Sequence, residues 1–298
     1  MAVAQFVVNG LLVGALFAAV AVGFALIWGV VGIINLAHGE LLMLGGYVTY
    51  WLVAFSGLQS PWLLLLTVPV AVAVLYVVGY LLQRLLVSRV TDADLFLTLL
   101  VTFGVSIVIQ QLAIQAWSAT PRAVTVGFAD PSIVVAGVVI PKMKLIAFVG
   151  AIVLTLALWT YLRRTRRGRA IRAVAQNPEA ARLVGIDVAH TRAVTFGLSA
   201  AIAGGAGSFV AMILNVQPQM GLVYTLKSFV IVVFGGLGSV PGALVGGLLL
   251  GSVEELTAGL AGSQWTLAVS FSLLIVLLLV RPSGLFGRPI EEGGEAHE

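Results

Sequence analysis

A chain of 298 residues that is 60% hydrophobic and 9% charged, with a mean hydropathy of +1.10, is no water-soluble domain, because such domains carry about 25% charged residues. No polar stretch reaches the roughly 50 residues of a minimal domain, so the composition excludes a built-in catalytic domain and assigns any soluble machinery to other chains. The net charge of +4 reports loop sidedness before it reports acidic partners. Cysteine is absent, and His38, His190 and His297 are too scattered for a structural metal site.

The expected fold is an all-α polytopic bundle of about eight or nine spans, each about 20 apolar residues long. It is expected to form one membrane domain over residues 1–290. Apolar runs at Phe6–Trp28, Leu41–Phe55, Trp62–Leu82, Leu95–Trp117 and Leu145–Leu162 give five crossings, and Val194–Asn215 and Trp265–Val280 two more. The first run lacks a basic start and is too long for a signal peptide, so it reads as a retained helix. Between the last two runs, Leu226–Leu260 is broken by a glycine-rich turn and reads as a helical hairpin, with both arms crossing or one re-entrant. The loop 163–192 holds Arg163, Arg164, Arg166, Arg167, Arg169, Arg172, Arg182 and Arg192, half of the 16 Lys and Arg residues. By the positive-inside rule this loop is cytoplasmic. Alternation then puts the N-terminus and the loop 118–144 outside, and the C-terminus in the cytoplasm. Within the outer loop, Ser132–Pro141 is β-branched around a glycine and suits a small hairpin. The acidic tail 291–298 reads as disordered.

Three stretches could carry function. In Ile33-Ile34-Asn35-Leu36-Ala37-His38-Gly39-Glu40, three polar side chains fall within six residues, and an ionisable residue at membrane depth costs about 2.5 to 3.5 kcal/mol and usually faces a bundle interior or an aqueous path. Asn35, His38, Gly39 and Glu40 are therefore candidates for lining a translocation path; the alternative is that the chain turns here among headgroups. In the basic loop, Asn177 is a helix cap, Pro178 a first helical residue, Glu179 favours the helix dipole and Gly185 suits the helix end. This predicts a short helix Pro178–Val184, either a knob for a partner or a plain connector. In the hairpin, Gly235, Gly236, Gly238, Gly242 and Gly246, with Gly247 and Gly251, form small-xxx-small patterns that let helices pack closely. Glu254 and Glu255 read as interfacial. Similarity between Gly29–Gly46 and Gly235–Gly251 hints at an internal repeat. No phosphate loop, no His-Glu-x-x-His and no nucleophilic triad occurs, so no catalytic constellation is present.

The block Ile34-Asn35-Leu36-Ala37-His38-Gly39-Glu40 followed by Met43-Leu44-Gly45-Gly46-Tyr47 resembles the segment after the first helix of LivH-type permeases. These are membrane subunits of ATP-binding-cassette importers for branched-chain amino acids. Asn177-Pro178-Glu179-Ala180-Ala181 through Gly185-Ile186, the loop Ser132–Pro141, and the run from Phe234 through Gly235, Gly236, Gly238 and Gly242 resemble the same family in the same order. The resemblance implies that Asn177, Pro178, Glu179, Ala180, Ala181 and Gly185 form the ATPase-coupling motif, although the family's continuation Ile-x-Leu-Pro is missing. It further implies a second, LivM-like permease, ATPase subunits that use ATP and magnesium, an extracytoplasmic binding protein, surrounding membrane lipid and no nucleic acid. This chain itself would carry no cofactor and would lie in a bacterial or archaeal inner membrane. Urea, short amides and aromatic acids stay open as alternative substrates. A stand-alone ion-coupled carrier using Glu40, Glu254 or Glu255 is the rival of another class.

Overall fold

A computed structural model describes residues 2–57, 60–91, 94–124, 132–236, 238–281 and 284–285. The acidic tail expected at 291–298 lies outside the described residues. The helices are α1 (Ala2–Val31), α2 (His38–Ser56), the single turn α3 (Pro61–Leu64), α4 (Thr67–Leu85), α5 (Leu95–Trp117), α6 (Lys142–Arg164), α7 (Arg166–Gln176), α8 (Pro178–Leu183), α9 (Val188–Ile213), α10 (Met220–Gly235), α11 (Val240–Leu260) and α12 (Thr266–Val280). Short 3-10 turns at Val87–Arg89 and Ser263–Trp265 extend α4 and precede α12. A hairpin of β1 (Ser132–Val135) and β2 (Val138–Pro141) pairs Val135 with Val138 across Ala136 and Gly137, both at positive φ. It sits where the β-branched run predicts it.

Among the described residues, seven stretches are long and apolar enough to cross a membrane, at Val3–Val31, Trp62–Arg89, Leu95–Trp117, Lys142–Arg164, Val188–Ile213, Val240–Leu260 and Ser263–Val280. The shorter α10 and the more polar α2 join them in the bundle. The hairpin begins earlier than the apolar run suggests, because Met220 and Gly221 already start α10.

α1 and α9 are almost wholly buried and form the axis of the bundle. They touch where the Ser199 hydroxyl donates to the Gly23 carbonyl at 2.7 Å. Around them the packing repeats. α1 lies on α11 as α9 lies on α4, α2 lies on α9 as α10 lies on α1, and α2 meets α10. The repeat therefore relates α1–α2–α4 to α9–α10–α11, a pairing that the similarity of Gly29–Gly46 to Gly235–Gly251 does not capture. The two breaks match: each unit leaves the helix for six residues and restarts with the same bond, His38 N–H to Asn35 O and Met220 N–H to Gln217 O, each at 3.2 Å.

Small residues set the helix spacing, since helices in lipid gain little from hiding apolar surface from one another and associate by close packing. A Cβ on Gly247 would stand 2.5 Å from the Ala18 Cα, and one on Gly10 2.5 Å from the Ser252 Cα. Gly251 meets Gly14 in the same way. On the other unit Gly79 faces Ala200 and Gly197, and Gly45 faces the Gly204 carbonyl. Gly247→Ala should therefore force α1 and α11 apart at an overpacking cost of about 1 to 3 kcal/mol. We expect a lower melting temperature of the detergent-purified chain, whereas Gly104→Ala on α5, where a Cβ meets nothing within 4 Å, should leave it unchanged.

Candidate functional site

The side chains of Asn35, His38 and Glu40 lie inside the protein. Gly32, at φ +76, ends α1, and the chain climbs back along it until the His38 Nε2–H donates to the Val20 carbonyl at 2.9 Å. Val20 is eleven residues before the end of α1, about 16 Å at 1.5 Å per residue. Gly23 makes room for the ring, since a Cβ there would be 3.1 Å from His38 Cε1, and Phe24 packs edge-on against it at 5.5 Å. Asn35, His38 and Glu40 are each no more than 1% exposed.

Backbone freed by the break must find partners, because no water is available in the hydrocarbon region. The Thr102 hydroxyl of α5 donates to the Ile34 carbonyl at 3.2 Å and accepts from the Leu36 amide at 3.3 Å. The Thr225 hydroxyl of α10 accepts from the Gly39 amide at 2.8 Å and donates to the Leu36 carbonyl at 3.2 Å. Asn35 Oδ1 accepts from the Ala37 amide at 3.1 Å. The Ser106 hydroxyl donates to Glu40 Oε1 at 3.1 Å.

Gly39 and Gly221, the second residues of α2 and α10, lie in direct contact where these helices cross. A Cβ on Gly39 would strike the Gly221 carbonyl, and one on Gly221 the Glu40 carboxyl group. The Glu40 carboxyl group thus sits at the first turns of two helices. Asn35 Nδ2, His38 Nδ1 and Glu40 Oε2 have no hydrogen-bond partner among the described residues.

α5 is held onto this node by polar groups. Thr98, Thr102, Ser106 and Gln110 recur every fourth residue, so they share one face. Each bonds to something outside α5: Thr98 to the Val90 carbonyl at 3.0 Å, Thr102 and Ser106 to the re-entrant stretch, and Gln110 to the Pro218 carbonyl at 3.5 Å. The opposite face exposes Phe96, Leu100, Phe103, Ile107 and Leu112.

At the far end of the bundle from the β-hairpin, α8 forms as the motif predicts. Asn177 Oδ1 accepts from the Glu179 and Ala180 amides at 2.9 Å each, Pro178 is the first helical residue, and Gly185 stands at φ +82. The Ile186 amide reaches back to the Ala181 carbonyl at 3.0 Å, which closes the helix one residue earlier than the expected Val184. Ala181 is buried with Val174 of α7 and Val188 of α9. Glu179, Ala180 and Arg182 are exposed, and Leu183 and Val184 are 89% and 75% exposed.

The glycines of the C-terminal hairpin lie in its turn and its packing seam. Gly236 and Gly238 have positive φ, Gly235 and Gly242 meet backbone to backbone, and a Cβ on Gly246 would stand 3.0 Å from the Ile231 carbonyl. Glu254 departs from the interfacial position expected of it. It is buried, its Oε2 is 2.6 Å from Lys227 Nζ of α10, and its Oε1 accepts from the Ser270 hydroxyl of α12 at 2.8 Å. Lys227 also lies 4.4 Å over the Phe17 ring of α1. Four helices converge on this pair because a lone charge here would be costly. Glu255, next on the helix, is half-buried. Among the described residues no group of three His, Asp or Glu side chains could hold a metal ion.

These features occur in a chain with extensive relatives. Residues 6–278 match the family described as the permease component of branched-chain amino acid transport systems. The chain belongs to that family. It is 35% identical to the high-affinity branched-chain amino acid transport system permease protein BraD of Pseudomonas aeruginosa, and 33% identical to the corresponding LivH protein of Escherichia coli K12, over 96% of both chains in each case. A probable branched-chain amino acid transport permease of Methanocaldococcus jannaschii is 29% identical over 90% of this chain and 87% of its own. No solved structure matches. The family resemblance and the helical membrane fold read from the sequence therefore hold.

Sequence reasoning missed Lys227, a single cation inside an apolar run whose partner lies 27 residues away. It also missed Arg122, which pairs its backbone with Val216, donates to Tyr50 Oη at 3.2 Å and covers the Tyr50 and Trp51 rings. The period of four in 98–110 was the available signal for α5. Removing one member of a buried pair costs about 3 to 5 kcal/mol, while replacing both by apolar groups is often neutral. Lys227→Met should therefore lower the melting temperature of the purified chain by more than Lys227→Met combined with Glu254→Leu.

Proposed function

We propose that this chain is the permease subunit of an ATP-driven importer for branched-chain amino acids. The similarity to BraD and LivH over nearly the whole of each chain carries this reading, with the preformed α8 knob as its structural support. The arginine-rich segment of α7 and α8 would face the cytoplasm, with the N-terminus outside and the C-terminus inside. Partner chains would supply the ATPase, with its ATP and magnesium, a second permease of the LivM kind and an extracytoplasmic binding protein.

In this mechanism α8 is the contact with the ATPase. Its exposed Leu183 and Val184 enter a partner cleft, Glu179 and Arg182 fix its orientation, and the buried Ala181 passes displacement to α9. α9 carries Gly204 and Gly207, which pack on α2 at Gly45 and Leu42, so motion reaches the first turn of α2. There Asn35, His38, Gly39 and Glu40 act as a gate: the node holds α5 through Thr102 and Ser106, and release of those bonds frees a polar face inside the membrane along which solute can pass.

The deciding experiment pulls the tagged chain from its native membranes in mild detergent and then measures leucine uptake in liposomes. Recovery with a second permease and ATPases, and uptake that requires ATP, supports the reading. Recovery alone, with uptake driven by an ion gradient, overturns it in favour of a self-sufficient carrier.

Two substitutions test the coupling role. Gly185→Val forces a β-branched residue into a left-handed conformation, and Glu179→Lys sets a cation at the positive end of α8. Both variants should insert normally and assemble, yet lose most of the ATP-dependent uptake while ATP hydrolysis continues. Transport at the wild-type rate would remove α8 from the coupling path.

A further inference from the structure

Beside the start of α9, on the face that carries α7 and α8, a cavity of about 280 Å³ is lined by Tyr80, Gln83, Arg84, Ser88, Asp187 and His190. A water molecule takes about 30 Å³, so the space suits a polar group of several heavy atoms. Its walls offer both signs of charge and several hydrogen-bonding groups. None of these residues takes part in the path or coupling roles described above.

The chemistry of the lining is specific. Arg84 donates one N–H to Tyr80 Oη at 3.3 Å, one of the five donors of a guanidinium, whose fork suits phosphate oxygens. Tyr80 Oη lies 3.3 Å from His190 Nδ1. With the phenol donating there, the neutral imidazole carries its proton on Nε2, a second donor. On the acceptor side, the Asp187 carboxylate accepts from the His190 amide through Oδ1 as the cap of α9 at 2.9 Å. Gln83 is 1% exposed and donates to the Thr91 hydroxyl at 3.2 Å, while its Oε1 has no partner. A buried carbonyl oxygen without a donor is costly. A ligand with a phosphate at one end and N–H donors at the other answers the guanidinium, the imidazole and the carboxylate of this lining.

The surroundings select the source. Val70, Val74, Val77, Leu81 and Leu85 are exposed along one face of α4, with the three- and four-residue spacing of a helical stripe. This apolar stripe ends beside Tyr80 and Arg84, so acyl chains lying against it would bring their headgroup to the cavity. A free phosphate would gain nothing from it. Basic pockets between helices at the membrane boundary are a known form of headgroup site.

We propose that this cavity binds the headgroup of a phospholipid bearing a phosphate ester and a primary ammonium, phosphatidylethanolamine being the simplest. Arg84, with Tyr80 and His190, holds the phosphate; Asp187 holds the ammonium. Because Asp187 also caps α9, the helix next to the α8 knob, the bound lipid would brace the start of that helix.

The test is lipid retention by the full-length chain, purified in mild detergent with equal phosphatidylethanolamine and phosphatidylglycerol and read by native mass spectrometry. The wild type should retain phosphatidylethanolamine in excess, and Arg84→Gln should lose about tenfold of that retention. Asp187→Asn keeps a capping oxygen and should lose the preference for phosphatidylethanolamine over phosphatidylglycerol. Millimolar O-phosphoethanolamine or inorganic phosphate should not displace the lipid. Displacement by either would make the ligand a soluble phosphate and overturn the proposal. Equal retention by wild type and Arg84→Gln, or no preference between the lipids in the wild type, would also overturn it. If Arg84→Gln fails to fold, Ser88→Glu, which sets a negative charge beside the phosphate, should show the same loss, and undiminished retention by that variant refutes the site.

Discussion

Backbone that leaves a helix inside a membrane must be hydrogen-bonded by protein, and this constraint organises the molecule. The chain breaks after α1 and again after α9, and restarts as α2 and α10 with their first turns in contact. For the first break the partners are the hydroxyls of Thr102 and Thr225. For the second, the Val216 amide and carbonyl pair with Arg122, and the Pro218 carbonyl accepts from Gln110. The helices that supply these groups cannot be placed freely. α5 is anchored where its hydroxyls meet the break, and α10 must pass close enough for Thr225 to reach Leu36.

Close approach follows from the same constraint. Two helices can cross at their second residues only when neither has a Cβ there, which fixes Gly39 and Gly221. The seams of α1 with α11 and of α9 with α4 extend the principle along whole helices, Gly10, Gly14 and Ala18 against Gly247 and Gly251 on one side, Gly79 against Gly197 and Ala200 on the other. Such contacts are tight and run between the two repeats, so they tie α1 to α11 and α9 to α4. α5 differs: it is attached by a ladder of hydrogen bonds along one face, and such bonds can be exchanged one by one for others of equal strength.

What the sequence reveals and what it conceals divide along physical lines. Properties set by local pattern are legible, among them the apolar spans, the hairpin Ser132–Pro141 and the cap-proline-glycine frame of α8, because neighbouring residues determine them. The polar block 33–40 is legible as unusual, but its depth is not, since hydropathy gives no register and depth here comes from the bond of His38 to Val20. Pairings across the bundle are hidden altogether. Nothing near Lys227 announces Glu254, and nothing near Glu254 separates a buried carboxylate from an interfacial one. The structural repeat is concealed for the same reason, because it lives in which helix touches which and hardly at all in shared residues.

In the proposed mechanism these elements join into one mechanical line. α8 is too short to be stable alone and keeps its shape through its cap, through the αL turn at Gly185 and through Ala181 wedged between Val174 and Val188. A force on its exposed face therefore passes into the first turn of α9 and does not dissipate in a flexible loop. α9 has 26 residues and spans about 39 Å at 1.5 Å per residue, so it delivers that force to Gly204 and Gly207, where α2 rests on it. The first turn of α2 carries His38, Gly39 and Glu40, and Glu40 is tied to Ser106 of α5. A displacement of α2 by even one ångström lengthens that 3.1 Å bond beyond the range of a useful hydrogen bond and leaves a buried carboxylate oxygen without its donor. The node then has two ways to recover, by moving α5 with α2 or by admitting a new donor in place of Ser106, and either one alters the polar face of α5 that the resting structure keeps closed.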